Sequence, residues 1–278
     1  QGDYVDPTRQ TVAEFLDRWD RDWTSVNVSP KTAETYRHHL KHARRHIGAK
    51  KLQRLQPVDL VGMYATLARD IGLAPRTIGH VHRILHRAFG HAVLWKLISR
   101  NPADQAEPPP VPDQEISILT DEDAQRILEA LKGRSILYPL AVLAINTGMR
   151  RGELCALRWG DVDLDACKLR VEQSIEQTSA GMRFKAPKTR HGRRLIALPP
   201  TAVAELRTHW RAQQEQRMSL GLGRASRSDL VFATWEGKPR SPNALTKEWS
   251  VVMRSMGRPE VTLHSLRHTH ASRLIAAG

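Results

Sequence analysis

The stretch NPADQAEPPPVPDQ, residues 101–114, constrains this chain more than any other part of it. Proline fixes φ and has no amide proton, so such a run neither continues a helix nor enters a sheet interior, and it favours extended polyproline geometry. The chain therefore reads as two domains, residues 8–103 and 116–278, joined by a proline-rich linker over 104–115. Its 278 residues fit two domains, and an apolar fraction of 40% is enough to build their cores. No apolar run is long enough to span a bilayer, and the first residues lack a signal-peptide pattern, so a soluble intracellular protein is expected.

Charge narrows the class of partner. Lys and Arg number 43 against 29 Asp and Glu, a net +14. Residues 1–110 hold 17 basic and 11 acidic side chains, and the remainder 26 and 18. Both parts carry the surplus, so one basic tail does not explain it. A polyanion that touches both does, and nucleic acid is the default. A membrane surface fits less well, because no helix pairs a basic face with an exposed bulky apolar one. Cys155 and Cys167 sit among apolar residues and outside any C-x-x-C pattern, which reads as two reduced core thiols.

Before the linker the periodicity is helical throughout. Val12, Phe15, Leu16 and Trp19 make one stripe. In SPKTAETYRHHLKHARRHIG, Ser29 is an N-cap, Pro30 the first helical residue and Gly48 a stop, with Tyr36, Leu40, Ala43 and Ile47 as the apolar face. PVDLVGMYATLARD is a third helix. A fourth begins at Pro75 and turns Ile78, Val81, Leu85, Phe89 and Val93 inward. This predicts a small four-helix domain. Residues 31–54 hold eight Lys or Arg and only Glu34 as acid. Lys31, Lys41 and Arg45 on the second helix, with Arg76, Arg83 and Arg87 on the fourth, are the candidate phosphate contacts.

After the linker the pattern is mixed. LTDEDAQRILEALKG opens on Thr120 as N-cap, ILYPLAVLAINTG is a buried helix ending at Gly148, and RRGELCALRWGDV supplies a short helix. CKLRVEQS alternates like a strand, and MRFKAPKTRHGRRLIALP reads as two strands around a turn at His191-Gly192. Helices from about Pro200 and Pro242, a short DLVFAT strand and a terminal helix complete the domain. The expected class is mainly α with a small antiparallel β-sheet.

Three clusters carry chemistry. Gly148 permits a sharp reversal that puts Arg150 at a helix start with Glu153 one turn on. As a surface pair that would be worth only a few tenths of a kcal/mol. Arg183, Lys185, Lys188, Arg190, Arg193 and Arg194 crowd one stretch with no acid among them. His264 and Arg267 share a helix face, followed by His268 and His270. His264 and His268 have the i,i+4 spacing of metal ligands. However, Arg267 lies between them, the glutamate of H-E-x-x-H is absent, and no further Cys or acid is near, so no metal is assigned. A guanidinium fork and an imidazole suit an anion better.

An Arg in T-G-x-R-x-x-E, then a Lys in a basic β-hairpin, then L-H-x-L-R-H-T-H-A-S: this order resembles the tyrosine recombinases, in particular the integrases of phages and conjugative elements. The resemblance covers nearly the whole chain, with SPKTAETYRHHL and ISRNPA matching the family's core-binding domain. It implies a helical core-type DNA-binding domain followed by a mixed α/β catalytic domain. It also implies that Arg150 and Arg267 grip the scissile phosphate, Glu153 orients the site, Lys188 is the general acid for the leaving 5′ oxygen, and His264 hydrogen-bonds the phosphate. Lys185, Arg190 and Arg193 would add DNA contacts. Fixed guanidinium groups stabilise the charge that builds in phosphoryl transfer, so no cofactor and no metal are needed. A tyrosine nucleophile would store the bond energy as a 3′-phosphotyrosine. The implied partners are double-stranded core-site DNA, three further copies in a tetramer on that DNA, and accessory directionality or DNA-bending proteins, in the bacterial cytoplasm at the nucleoid.

One element of the family pattern is missing. The nucleophilic tyrosine belongs beyond the His-x-x-Arg helix, whereas Tyr4, Tyr36, Tyr64 and Tyr138 all precede Arg150. The expectation is a fragment without the C-terminal nucleophile segment and, since QGDYVDPTRQTV starts without Met, without an N-terminal arm-binding domain. Such a fragment binds core-site DNA and forms no covalent link. The alternatives are a non-catalytic DNA-binding regulator, a type IB topoisomerase-like enzyme, and a metalloenzyme built on the terminal histidines.

Overall fold

Thr11, Ser29 and Thr120 each open a helix in the same way: the side-chain oxygen accepts an otherwise orphaned backbone N–H in the first turn. At Thr11 the favour is returned, since the Glu14 carboxylate accepts the Thr11 N–H at 2.7 Å. The computed structural model describes residues 6–112, 118–134, 136–186 and 192–276. It divides into two compact units, residues 1–114 and 115–278.

In the first unit, α1 (Val12–Trp19) runs through a π-helical turn, Asp20–Thr24, into the short α2 (Ser25–Asn27). The π-turn carries no signal in the sequence periodicity. Then follow α3 (Pro30–Ile47), α4 (Pro57–Arg69) and α5 (Pro75–Leu94), each with proline in its first turn. Phe15, Trp19, Leu40, Tyr64, Leu85 and Phe89 meet in one core. Tyr36 and Val93 lie at its margin, half-buried. Ala103 and Ala106 belong to the same core, so packing on this unit continues into the proline-rich stretch. Asn101 assists by donating from Nδ2 to the His86 carbonyl at 3.0 Å.

The second unit begins with α6 (Asp121–Leu131), α7 (Leu137–Thr147) and α8 (Arg151–Ala156). Nine of the eleven residues of α7 are buried, as a helix apolar on all sides must be. Five strands follow: β1 (Val162–Asp163), β2 (Lys168–Val171), β3 (Ser174–Thr178), β4 (Gly181–Lys185) and β5 (Arg194–Ala197). The chain then forms α9 (Pro200–Ser219), α10 (Pro242–Ser255) and α11 (Leu263–Ala276). Among the described residues, no helix is long and apolar enough to cross a membrane.

Strand pairing departs from the sequence reading in three places. CKLRVEQS is not one strand: β2 pairs with β1 and β5 in a three-stranded antiparallel sheet, while β3 pairs with β4 in a separate hairpin. The hairpin reverses just before Gly181, whose φ of 117° only glycine adopts without strain. Consequently β4 and β5 do not pair with each other around His191-Gly192, and His191 itself lies outside the described residues. DLVFAT is not a strand either. It makes isolated bridges, Leu230 with Arg158 and Ala233 with Pro239, and is buried through its side chains instead. Finally, Cys155 is a buried thiol, pushed up to about 11 by desolvation, whereas Cys167 is exposed at a turn with φ of 50°. Apolar neighbours in sequence do not make a core position when the backbone is reversing direction.

Candidate active site

α7 ends because Gly148 adopts the left-handed conformation, φ 58°. A Cβ at this position would lie 2.5 Å from His270 Cδ2, so glycine also permits α11 to close over the turn. The reversal leaves Arg150 extended at the N-cap of α8 and sets Glu153 in the first turn. Gly152 has a second such role: its Cβ would come within 2.6 Å of the Ile175 carbonyl, and its absence lets α8 seat directly on β3.

Glu153 is the centre of the arrangement. It is only 4% exposed. Its Oε2 accepts the Arg150 backbone N–H at 2.9 Å, and its Oε1 accepts Arg150 Nη1 at 3.0 Å. Arg194, which opens β5, donates from Nη2 to Oε2 at 2.8 Å and from Nη1 to Oε1 at 3.3 Å. Burial alone would raise this carboxyl, but the hydrogen bonds from Arg194 and the Arg150 backbone outweigh it and hold it below the usual carboxylate range.

α11 supplies the other wall. Arg267 donates from Nη1 to the Gly148 carbonyl. Desolvation first, and then the neighbouring Arg150, lower the Arg267 guanidinium below its ordinary value, although an arginine still keeps its charge. His264, three residues earlier, is exposed, and its ring stands edge-on to His268 with centroids 4.4 Å apart. Partial burial, His268, Arg267 and Arg150 together lower its proton affinity. At neutral pH it is therefore a neutral imidazole, able to donate one hydrogen bond and accept another. His270 Nδ1 lies 3.1 Å from the Ile145 carbonyl, which assigns the proton to that nitrogen. Thr269 accepts the Leu119 N–H at 3.1 Å and donates to the Ser265 carbonyl, fastening α11 to the chain before α6.

Two guanidinium groups thus hold one carboxylate, a third, Arg267, is fastened to the Gly148 turn beside them, and a neutral imidazole stands on the same helix as Arg267. The surplus positive charge, partly desolvated and held by fixed partners, suits an anionic oxygen ligand. Among the described residues, no group of three or more His, Cys, Asp or Glu is placed to hold a metal ion. Sequence reasoning brought Arg150, Glu153, His264 and Arg267 to this place. Arg194 was visible only as one of six clustered cations. Its partner is 41 residues away in sequence, and nothing local announces it.

The remaining candidates divide. Lys188 and Arg190 lie outside the described residues. The cations around them are not without counter-charges, contrary to expectation, because distant acids reach them. Arg183 donates to the buried Glu176 at 2.6 Å, Lys185 donates to the same carboxylate, and Arg193 lies 3.6 Å from Glu172. In the first unit Lys31 pairs with Glu34 at 2.9 Å. Arg87 stacks over Trp23 at 4.7 Å, and Arg83 Nη2 lies 2.8 Å from His80 Nδ1. Lys41, Arg45 and Arg76 are exposed and make no ion pair among the described residues. Asp20 and Asp17 instead pair with Arg37 and Arg44 on α3.

Residues 117–278 match the phage integrase family. Over its length the chain is similar to a tyrosine recombinase XerC-like protein of Caldanaerobacter subterraneus subsp. tengcongensis, 26% identical across 99% of this chain and 74% of the relative. In fold it is similar to the Tn1549 transposon integrase solved in complex with a circular intermediate DNA. That match has a TM-score of 0.81 at 20% identity and covers 97% of this chain and 88% of that one. A lambda integrase dimer bound to a COC′ core site gives a TM-score of 0.67 at 21% identity, with 95% and 89% covered.

Proposed function

The chain belongs to the phage integrase family, the tyrosine recombinases that break and rejoin DNA, and on that premise we propose that it serves a bacterial mobile element as a site-specific recombinase. Arg150 and Arg267 grip the non-bridging oxygens of one backbone phosphate. Glu153 orients Arg150 and does not itself react. His264 adds a hydrogen bond to the same phosphate, and Lys188 is the general acid for the departing 5′ oxygen. The observation that supports this best is the pairing of the Arg150 and Arg194 guanidinium groups with one buried carboxylate, with Arg267 held on the adjacent Gly148 carbonyl. Such a pocket stabilises charge that develops on phosphate oxygens without reorganising as it develops.

Lys41, Arg45 and Arg76, exposed and without an ion pair among the described residues, track the phosphate backbone of duplex DNA from the first unit together with Arg83 and Arg87. Work on chromosomal and element DNA places the protein in the bacterial cytoplasm, and strand exchange calls for a tetramer on DNA with accessory proteins to set direction.

None of the described tyrosines suits the nucleophile's role. Tyr36 stacks on Trp19 with centroids 5.8 Å apart, and Tyr64 is buried against His82 in the first unit. Tyr138 opens α7, about 14 Å along the helix from its Gly148 end at 1.5 Å per residue. These tyrosines are therefore assigned no part in covalent attachment, and the chain is assigned DNA binding. Incubation with a nicked suicide substrate carrying the core site, followed by a denaturing gel, tests both halves. A native-gel shift with no denaturation-resistant adduct is expected. An adduct would overturn the assignment of the nucleophile outside these residues, and the absence of any shift would overturn the DNA-binding role.

A further inference from the structure

Glu153 receives four donors on two oxygens, and their division is unequal. Arg194 presents two guanidinium nitrogens to it in a fork, whereas Arg150 presents one, together with its backbone N–H. Arg194 is the inner of the two, with its side chain 26% exposed against 58% for Arg150. Left alone with a buried carboxylate, an arginine adopts the two-pronged geometry, because bidentate pairing is the strongest the pair can make. Arg194 occupies that geometry first. Arg150 is left with Nη2 and Nε uncommitted among the described residues.

We propose that Arg194 is a positioning residue that saturates Glu153 and thereby keeps Arg150 from folding back onto it, so that the Arg150 guanidinium faces outward for a phosphate. This rests on the phosphate-gripping role assigned above. A second contact gives the residue a wider reach: Arg194 Nη1 also donates to the Gly192 carbonyl at 3.4 Å. The clamp on Glu153 thus also fixes the chain where it returns from residues 187–191, the stretch that contains Lys188.

Removing Arg194 has two conceivable effects, and they separate experimentally. If Arg194 only adds positive charge, its loss weakens anion binding, and neutralising Glu153 strengthens binding by the same factor with or without Arg194. If it holds Arg150 out, its loss lets Glu153 capture Arg150, and neutralising Glu153 releases Arg150 again.

The probe is inorganic phosphate titrated into the 278-residue protein, with the His264 ring resonances followed by NMR. Arg194→Ala should weaken phosphate about tenfold, the order expected for a charged ligand withdrawn from the site. Glu153→Gln in the Arg194→Ala background should recover most of that loss. Arg194→Lys should recover only part, since an ammonium lacks the fork. Arg194→Gln provides a near-isosteric neutral donor if the alanine variant melts below the titration temperature, and the same second-site recovery is expected from it. Glu153→Gln alone sets the purely electrostatic gain; phosphate binding in Arg194→Ala equal to wild type, or a gain from Glu153→Gln no larger in the Arg194→Ala background than in the wild type, overturns the proposal. A wild-type His264 that does not respond to phosphate overturns the functional reading beneath it, a different and recognisable failure.

Discussion

Replacing Gly148 by alanine puts a number on how closely α11 depends on the α7–α8 turn. Two costs are expected. A non-glycine residue in the left-handed conformation costs about 1–2 kcal/mol. The added Cβ would also lie 2.5 Å from His270 Cδ2 and 3.2 Å from its Cγ, so the ring must leave. Overpacking of that kind costs about 1–3 kcal/mol, and the lost hydrogen bond to the Ile145 carbonyl adds about 1 kcal/mol. The sum is about 3–6 kcal/mol. Gly133 supplies the control within the same unit, because it has φ 80° and nothing within 4 Å of its Cβ position. Gly133→Ala should show the backbone cost alone. For a unit of this size 1 kcal/mol shifts Tm by about 2–4 °C. The second unit should therefore melt roughly 10 °C lower in Gly148→Ala and about 4 °C lower in Gly133→Ala. Calorimetry that resolves the two units' transitions measures both. Equal losses in the two variants would refute the idea that glycine serves the His270 contact. So would a Gly148→Ala/His270→Ala double variant no more stable than Gly148→Ala.

Three further outcomes follow from the same structure. Gly152→Ala should destabilise the second unit by about 2–4 kcal/mol, because the added Cβ meets the Ile175 backbone oxygen as well as Ser174 Oγ, and only the hydroxyl can rotate away; urea unfolding reads this directly. Duplex binding should weaken with salt at about 0.9 log units per phosphate neutralised, and Lys41→Ala should reduce the slope by about one such step; an unchanged slope would remove Lys41 from the contact surface. Desolvation lowers the proton affinity of His39, His42 and His80 in the first unit and of His209, His264 and His270 in the second. The unfolded chain then binds protons more readily than the folded one. Stability is complete above the ordinary histidine value of about 6.5 and declines as pH falls through it. Melting at pH 5.5 should precede melting at pH 7.5, while the depressed carboxyls of Glu153 and Glu176 stay ionised across that window. A higher Tm at pH 5.5 would contradict this.

Local signals in the sequence were informative where a single turn of chain decides the outcome. Ser29-Pro30 opens α3, Thr120 opens α6 and Gly148 closes α7, because capping and left-handed backbone are matters of one residue and its immediate neighbours. The apolar stripes placed Phe15, Trp19, Leu40 and Phe89 inward for the same reason. What stayed hidden was pairing at a distance. The hairpin between β3 and β4 and the docking of β5 on β2 depend on which strand edges meet, and alternation is silent on that. Glu176, Glu172 and Glu153 lie outside the stretch yet reach into it, so Arg183, Lys185, Arg193 and Arg194 have acidic partners that the stretch itself does not contain. Cys167 was read as a core thiol, yet Lys168 follows it and the backbone reverses there. Within the site, the residues on α8 and α11 were legible from motif spacing. The Arg194 fork was not, since it exists only once β5 has docked beside α8.

The division of the strands into two sheets bears on how such a protein can vary. The stretch from Lys185 to Arg194 leaves one sheet and arrives on another, and each end is moored to a different buried carboxylate, Glu176 at the departure and Glu153 at the arrival. Two separate charge clusters therefore set the two ends of this stretch, so a substitution at one carboxylate leaves the mooring at the other in place.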